Sequence, residues 1–497
     1  MKKQLMTVLF SAIFCLGCFA QGLLAPVWLK SKFSSIGGKT EGWGVDVDAS
    51  GNVYWPVSCD STGQGLDILC YKFDANGNSL WSSPFFFGGA GTQHSFVCNA
   101  KDTALYIGGR YCALTGLSCD MQLLKVNKNN GTLIWTKTKD FGNNGYDEVD
   151  GLVIQPDGIY CGGWAQALQT GAYQLDIGLW KLDFNGNTVW SNYFGQTNTA
   201  EHQDGHFVVD NNFIYGAGLW GGKSIANLYN GNSFLGKFSK TDGSFVDSSL
   251  FGNQSNAFLD IDNALGMTSD GTYLYITGYT IPIASSDWQI FTAKFDKNLN
   301  QIWYHTWGGS STESARGIAV SNGKVYVAGL TISPGYNPGG KADGVLLVYD
   351  TLGNFVNYKT WGDSLDNSFR DIVVSGNSLY LSGSSGNNLS NGDSDSGFVM
   401  KADINSILTS INETKIPSSI SIFPNPFSSS TTLWTANLLK NVTLTIYNLY
   451  GQNLKQIKNI SGQTITLHRD NFPSGLYFIR LTQDNKVIAS DKLVITD

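Results

Sequence analysis

Apolar and polar residues alternate along most of the chain in short runs, and Gly, Asn or Asp interrupts nearly every run. Alternation with a period of two, bounded by turn formers, predicts short antiparallel strands with one buried face. Residues 314–362 show it most clearly: RGIAV, a turn, KVYVAGLT, a long polar loop, DGVLLVYD, a tight TLGN turn and FVNYKTWG. These are four strands in about fifty residues, and the unit recurs from near the start of the chain to about residue 405. Tyr54, Tyr106, Tyr160, Tyr215, Tyr275, Tyr326 and Tyr380 mark its second strand at separations of 51 to 60 residues. Trp81, Trp135, Trp190 and Trp303 share one position of the fourth strand, which Asp247 and Asn357 take in two units.

The seventh unit holds only three strands before Ile407. A stretch that reads as the missing fourth, APVWLKSKFSSIGG with Trp28, lies at the other end of the chain. Pairing it there closes a ring and removes two open sheet edges. The expected fold is therefore all-β, a seven-bladed β-propeller closed by an N-terminal strand. Over residues 24–405 the unit resembles the bacterial β-propeller repeat found in tandem in exported proteins. The resemblance implies a fold and is silent on activity.

Residues 406–419 are polar and unperiodic and read as a linker. Residues 420–497 alternate again, as expected of a small Ig-like β-sandwich. This segment resembles the type A C-terminal sorting domain of type IX secretion cargo, through Pro424, Asn425, Pro426, Gly451, Gly475, Tyr477 and Lys492. The resemblance implies the type IX secretion machinery as a partner. At the other end, residues 1–20 have a basic start, an apolar run and a small residue at Ala20, the pattern of a secretory signal peptide. The domain order is then signal peptide 1–20, propeller 21–405, linker 406–419 and sorting domain 420–497. The expected location is extracellular or the outer-membrane surface, and no other stretch is apolar enough to span a bilayer.

Composition agrees with this reading: 14 Trp, 22 Tyr and 28 Phe for sheet faces, 58 Gly for turns, and 14% charged residues. The net charge is −7, and −9 once Lys2 and Lys3 leave with the signal peptide, which argues against nucleic acid as a partner. A monomer is expected. Six cysteines lie outside the leader. Cys112 with Cys119, and Cys59 with Cys70, flank equivalent loops and are the expected disulfides of an exported chain; Cys98 and Cys161 read as buried thiols.

No nucleophile elbow, zinc-protease helix or phosphate loop is present, and no catalytic residue is assigned. His202, Asp204 and His206 would share one face of a strand and could ligate a divalent ion. Similar polar segments open the first strand of every unit, so neither metal nor cofactor is expected. Those segments carry Glu41, Asp147, Asp150, Asp204, Asp260, Asp262, Glu313, Arg316, Asp366 and Arg370 on the face where propellers generally bind ligands. Seven quasi-equivalent blades favour a non-catalytic module binding a glycan or protein there. The alternatives are a carbohydrate-active hydrolase or lyase using two of these carboxylates, and a structural adhesin segment.

Overall fold

The computed structural model describes residues 23–497, apart from 62, 64, 114–117, 143–144, 167–175, 196–199, 204, 226–227, 253–261, 282–286, 334–340, 388, 390–394, 409–419, 449–451 and 484–485. Residues 1–20, expected to be a signal peptide, and Gly451 lie outside these residues. The chain divides into two compact units, 1–410 and 411–497.

The first unit is a ring of seven antiparallel blades, each of four strands (A to D from the channel outward). Blade 6 comprises Glu313–Ser321, Lys324–Thr331, Asp343–Asp350 and Phe355–Trp361. Strands B and C are buried almost throughout, whereas the D strands Leu133–Lys139 and Thr188–Phe194 alternate between exposed and half-buried. This gradient follows from position: B and C are covered by neighbouring blades, and D has one face in water.

Blade 7 takes its A, B and C strands from Asp366–Ser375, Ser378–Gly386 and Ser396–Asp403, and its D strand from Trp28–Phe33. Trp28 lies opposite Lys401 and Phe33 opposite Ser396, so the N-terminal strand closes the ring.

The register explains the repeat. The blade tyrosine on strand B lies opposite a lysine of strand C in six blades, and in five of them that lysine lies opposite the tryptophan position of strand D. The lysines ride over the tyrosine rings, at 5.4 Å for Lys72 on Tyr54 and 5.7 Å for Lys401 on Tyr380. Lysine and tryptophan then donate together to a turn carbonyl of the next blade: Lys72 Nζ and Trp81 Nε1 to Lys128 O, Lys294 and Trp303 to Thr351 O. At the closure Lys401 and Trp28 do the same to Ala75 O, at 2.8 and 3.1 Å. Blade 6 has Val348 and Asn357 instead, and Asn357 Nδ2 donates to Ile407 O.

Ile407 sits in a short helix, Ile404–Leu408, whose Ile404 and Ile407 are buried in the cluster shared by blades 6 and 7. The segment expected to open the linker at 406 is thus packed on the propeller, because two apolar side chains three residues apart share one helix face.

Cys112 and Cys119 are cross-strand partners with Cα atoms 4.0 Å apart and form a disulfide. The expected Cys59–Cys70 bridge is absent and both are buried thiols. Cys59 pairs with Asp67, three residues from Cys70, so the two sulfurs point to opposite faces of the blade and enter different cores.

The second unit is a β-sandwich of five strands around Leu433, Val442, Leu444, Ile479, Leu481 and Leu493. Two long strands, Ser430–Tyr447 and Asn453–His468, replace several shorter ones that the pattern suggests. They bend at register shifts, where Asn441 and Asn459 adopt positive φ. The motif residues meet: Asn425 Nδ2 donates to Lys492 O and Asn425 Oδ1 accepts from Val494 N, while Tyr477 donates to Pro473 O.

Candidate functional site in the central channel

The A strands line the channel, and their register sorts the polar residues of the inter-blade segments into two sets. Counting back six residues from the partner of the blade tyrosine gives, in the six blades other than blade 4, Thr40, Gln93, Asp147, Asp262, Glu313 and Asn367, all buried. Counting back three gives Trp43, Phe96, Asp150, Gly205, Leu265, Arg316 and Arg370. Five of these second positions are β-bulges, and in blades 1 and 4 strand A is broken at the same place. A bulge turns its extra residue out of the ladder, here into the channel.

The first set is internal. Glu313 accepts from Gly309 N at 2.9 Å, Thr331 Oγ1 at 2.9 Å and Ser333 N at 3.3 Å. Asp147 accepts from Phe141 N and Gln166 N, both at 2.8 Å, and burial pushes its carboxyl up to about 6. Asp262 is buried against Gly252, and Asp366 accepts from Ala342 N. These carboxylates hold the loop between one blade and the next. The acidic rim legible in the sequence is largely a set of loop clamps. Asp204 and Asp260 lie outside the described residues.

Four of the second set, Trp43, Phe96, Arg316 and Arg370, build a ladder of rings and cations at the mouth together with Arg110 and Tyr146. The guanidinium carbons of Arg370 and Arg316 lie 4.4 and 5.0 Å from the Trp43 ring centroid. Trp43 meets Phe96 edge-on at 5.5 Å, and Arg110 lies 5.4 Å from Phe96 and 5.7 Å from Tyr146. Glu41 accepts from Trp43 Nε1 at 3.1 Å and lies 3.5 Å from His94 Nδ1, while Arg110 pairs with Glu148. Burial alone would raise the Glu41 carboxyl, but His94, Trp43 and Arg370 outweigh it and hold it at about 2. Burial and the neighbouring Arg316 bring the Arg370 guanidinium down to about 10. Sequence reasoning found Arg316, Arg370 and Glu41 but missed Trp43, Phe96, His94 and Arg110. Trp43 stands between two glycines inside the first polar segment, which was the available signal.

Below the mouth a cavity of about 920 Å³ runs to the A–B turns and is lined in part by Asp46, His206 and Asp371. His206 and Asp371 stand where four other blades have Gly44, Gly151, Gly266 and Gly317. Those glycines let blades approach: a Cβ on Gly266 would lie 1.9 Å from Arg316 O. His206 Nε2 donates to Asp371 Oδ1 at 3.0 Å, and Asp371 accepts from Val45 N at 3.0 Å and Ile372 N at 2.8 Å. Asp46 accepts from Val47 N and Ala100 N; burial, then the charge of Asp371, raises its carboxyl to about 6.

His206 therefore turns to Asp371; the side chain of His202, like Asp204, is outside the described residues. Asp120, Asp140 and Asp147 bring carboxylate oxygens within 4.8 Å of one another. Both Asp147 oxygens already accept backbone amides, so this group also reads as a loop clamp.

Residues 421–496 match the family of secretion system C-terminal sorting domains. The tail is a secretion sorting domain. A tail of this kind implies export as type IX cargo, to the cell surface or beyond. No helix among the described residues is long and apolar enough to cross a membrane. No curated protein matches the chain in sequence. Among solved structures, the chain resembles the WD40 domain of Neurospora crassa Pan2 (11% identity over 77% of this chain and 97% of that one, TM-score 0.44). It also resembles Drosophila plexin A in complex with semaphorin 1b (6%, 78% and 88%, TM-score 0.46) and the β-propeller domain of the trilobed protease from Pyrococcus furiosus (9%, 70% and 92%, TM-score 0.39). At these scores the likenesses carry no functional weight.

Proposed function

We propose that the propeller is a non-catalytic binding module, delivered outside the cell by its sorting tail, that holds a glycan or protein at the channel mouth on the face of the inter-blade loops. The observation that carries this reading is the convergence of Trp43, Phe96, Arg316 and Arg370 from blades 1, 2, 6 and 7 at one bulge position. Rings and guanidiniums are the side chains that dominate recognition surfaces. The clamp carboxylates, by contrast, are occupied by backbone amides.

The test is a thermal-shift screen of the full chain against glycans and surface proteins. A native-state ligand raises Tm by mass action. The expected result is a shift lost in Trp43→Ala and retained in Leu265→Ala, at the same bulge position but outside the ladder. A shift indifferent to Trp43 would move the site elsewhere.

One observation favours a second reading, a hydrolase or lyase: Asp46, with its carboxyl at about 6, faces the cavity beside Asp371 and His206. Polysaccharide turnover abolished in Asp46→Asn would favour it over binding alone.

A further inference from the structure

We propose that the mouth takes an acidic oligosaccharide, with Arg370 and Arg316 gripping a carboxylate or sulfate and Tyr146 offering a ring face to the sugar. This deepens the binding reading and rests on it. Two guanidiniums from adjacent blades converge on one indole. Like charges held together in a half-buried place favour an added counter-charge. Glu41 supplies part of the counter-charge to Arg370, but it accepts its hydrogen bond from Trp43 Nε1 and lies beside His94. Arg370 Nε is buried and, among the described residues, has no hydrogen-bond partner. An oxyanion would satisfy that N–H, and the planar guanidinium fork matches two oxygens of a carboxylate or sulfate.

The other end of the ladder supplies the sugar contact. Tyr146 is 41% exposed and Arg110 packs on its ring. An acidic peptide fits less well. The channel-facing edge of strand A is bulged in five blades and broken in the other two, so the mouth offers an extended peptide no long regular edge to join.

Calorimetric titration of the full chain tests this with four probes: pentagalacturonate, its methyl ester, a sulfated oligosaccharide of equal length, and oligoglutamate. Binding of the uronate or the sulfated probe is expected, weakening as salt rises, and the better of the two identifies the oxyanion. The methyl ester should bind at least about tenfold more weakly than the uronate if carboxylate is the group held. Arg370→Gln should lose about ten- to hundredfold for the preferred anionic probe. Arg370→Lys, which keeps the charge but not the fork, should recover part of that loss. If Arg370→Gln does not fold, Arg316→Gln and Tyr146→Ala serve in its place. The proposal is overturned if neither anionic probe binds, if these variants leave binding unchanged, or if oligoglutamate binds tightest. A Trp43-dependent shift with a neutral glycan would then still leave the binding reading standing.

Discussion

His206 of blade 4 and Asp371 of blade 7 join across the channel, Nε2 donating to Oδ1 at 3.0 Å. Burial opposes a charged imidazole, yet the Asp371 carboxylate outweighs it and raises the His206 pKa above 6.5. A histidine raised in the folded state stabilises fully below its unfolded pKa, and the contribution is lost as pH rises through the folded value. The Tm gap between wild type and His206→Gln should therefore be largest well below pH 6.5 and shrink as the pH rises past it. A gap independent of pH would show that the pair is not charged.

Asp46 slopes the same way over a lower window. Its carboxyl is raised from 3.8 to about 6, so the folded state binds the proton more tightly and stability falls as pH climbs from about 4 to 6. Asp46→Asn should flatten this part of a calorimetric Tm profile, whatever its effect on absolute stability. An unchanged slope would place the ionisation elsewhere.

Trp28 makes ring contacts at 6.1 Å with both Phe73 and Tyr380, and its indole bonds Ala75 O. Trp28→Ala should cost about 2–4 kcal/mol, near the usual range for a half-buried tryptophan. Hydrogen exchange should localise the damage to Trp28–Phe33 and Ser396–Asp403. Loss of protection spread evenly around the ring would contradict closure by this strand.

Glu313→Ala leaves two backbone amides and Thr331 without their acceptor in a buried place. A loss of about 2–4 kcal/mol by denaturant unfolding is expected. Ligand binding by the surviving folded fraction should be unaffected, which separates a loop clamp from a ligand contact.

Thiol counting on residues 21–497 after denaturation without reductant should find four alkylated cysteines, namely Cys59, Cys70, Cys98 and Cys161, and six after reduction. A count of two without reductant would restore the second bridge.

Much of the fold was legible because its causes are local and repeated. Seven tyrosines at near-constant spacing fix the strands, and Trp28 reads as a fourth strand because it belongs to the same rung as Trp81 and Trp303. The disulfides were half legible: loop position suggests both pairs, but only register shows that Cys112 faces Cys119 while Cys59 and Cys70 face apart. The rim acids were half legible for the same reason. Asp147 and Glu313 look like Asp150 and Arg316 in a polar segment, and three residues of register separate a buried clamp from a channel side chain.

The sequence by itself determined the strand pattern, the number of blades, the way the ring closes and the sorting tail, since each follows from periodicity or a contiguous motif. Tertiary structure alone decided which polar residues meet. Trp43 and Arg370 lie more than three hundred residues apart, as do Asp46 and Asp371. They are neighbours only because closing the ring brings blade 7 against blade 1, and because bulges and glycine-to-polar exchanges on the innermost strands turn those side chains into one channel.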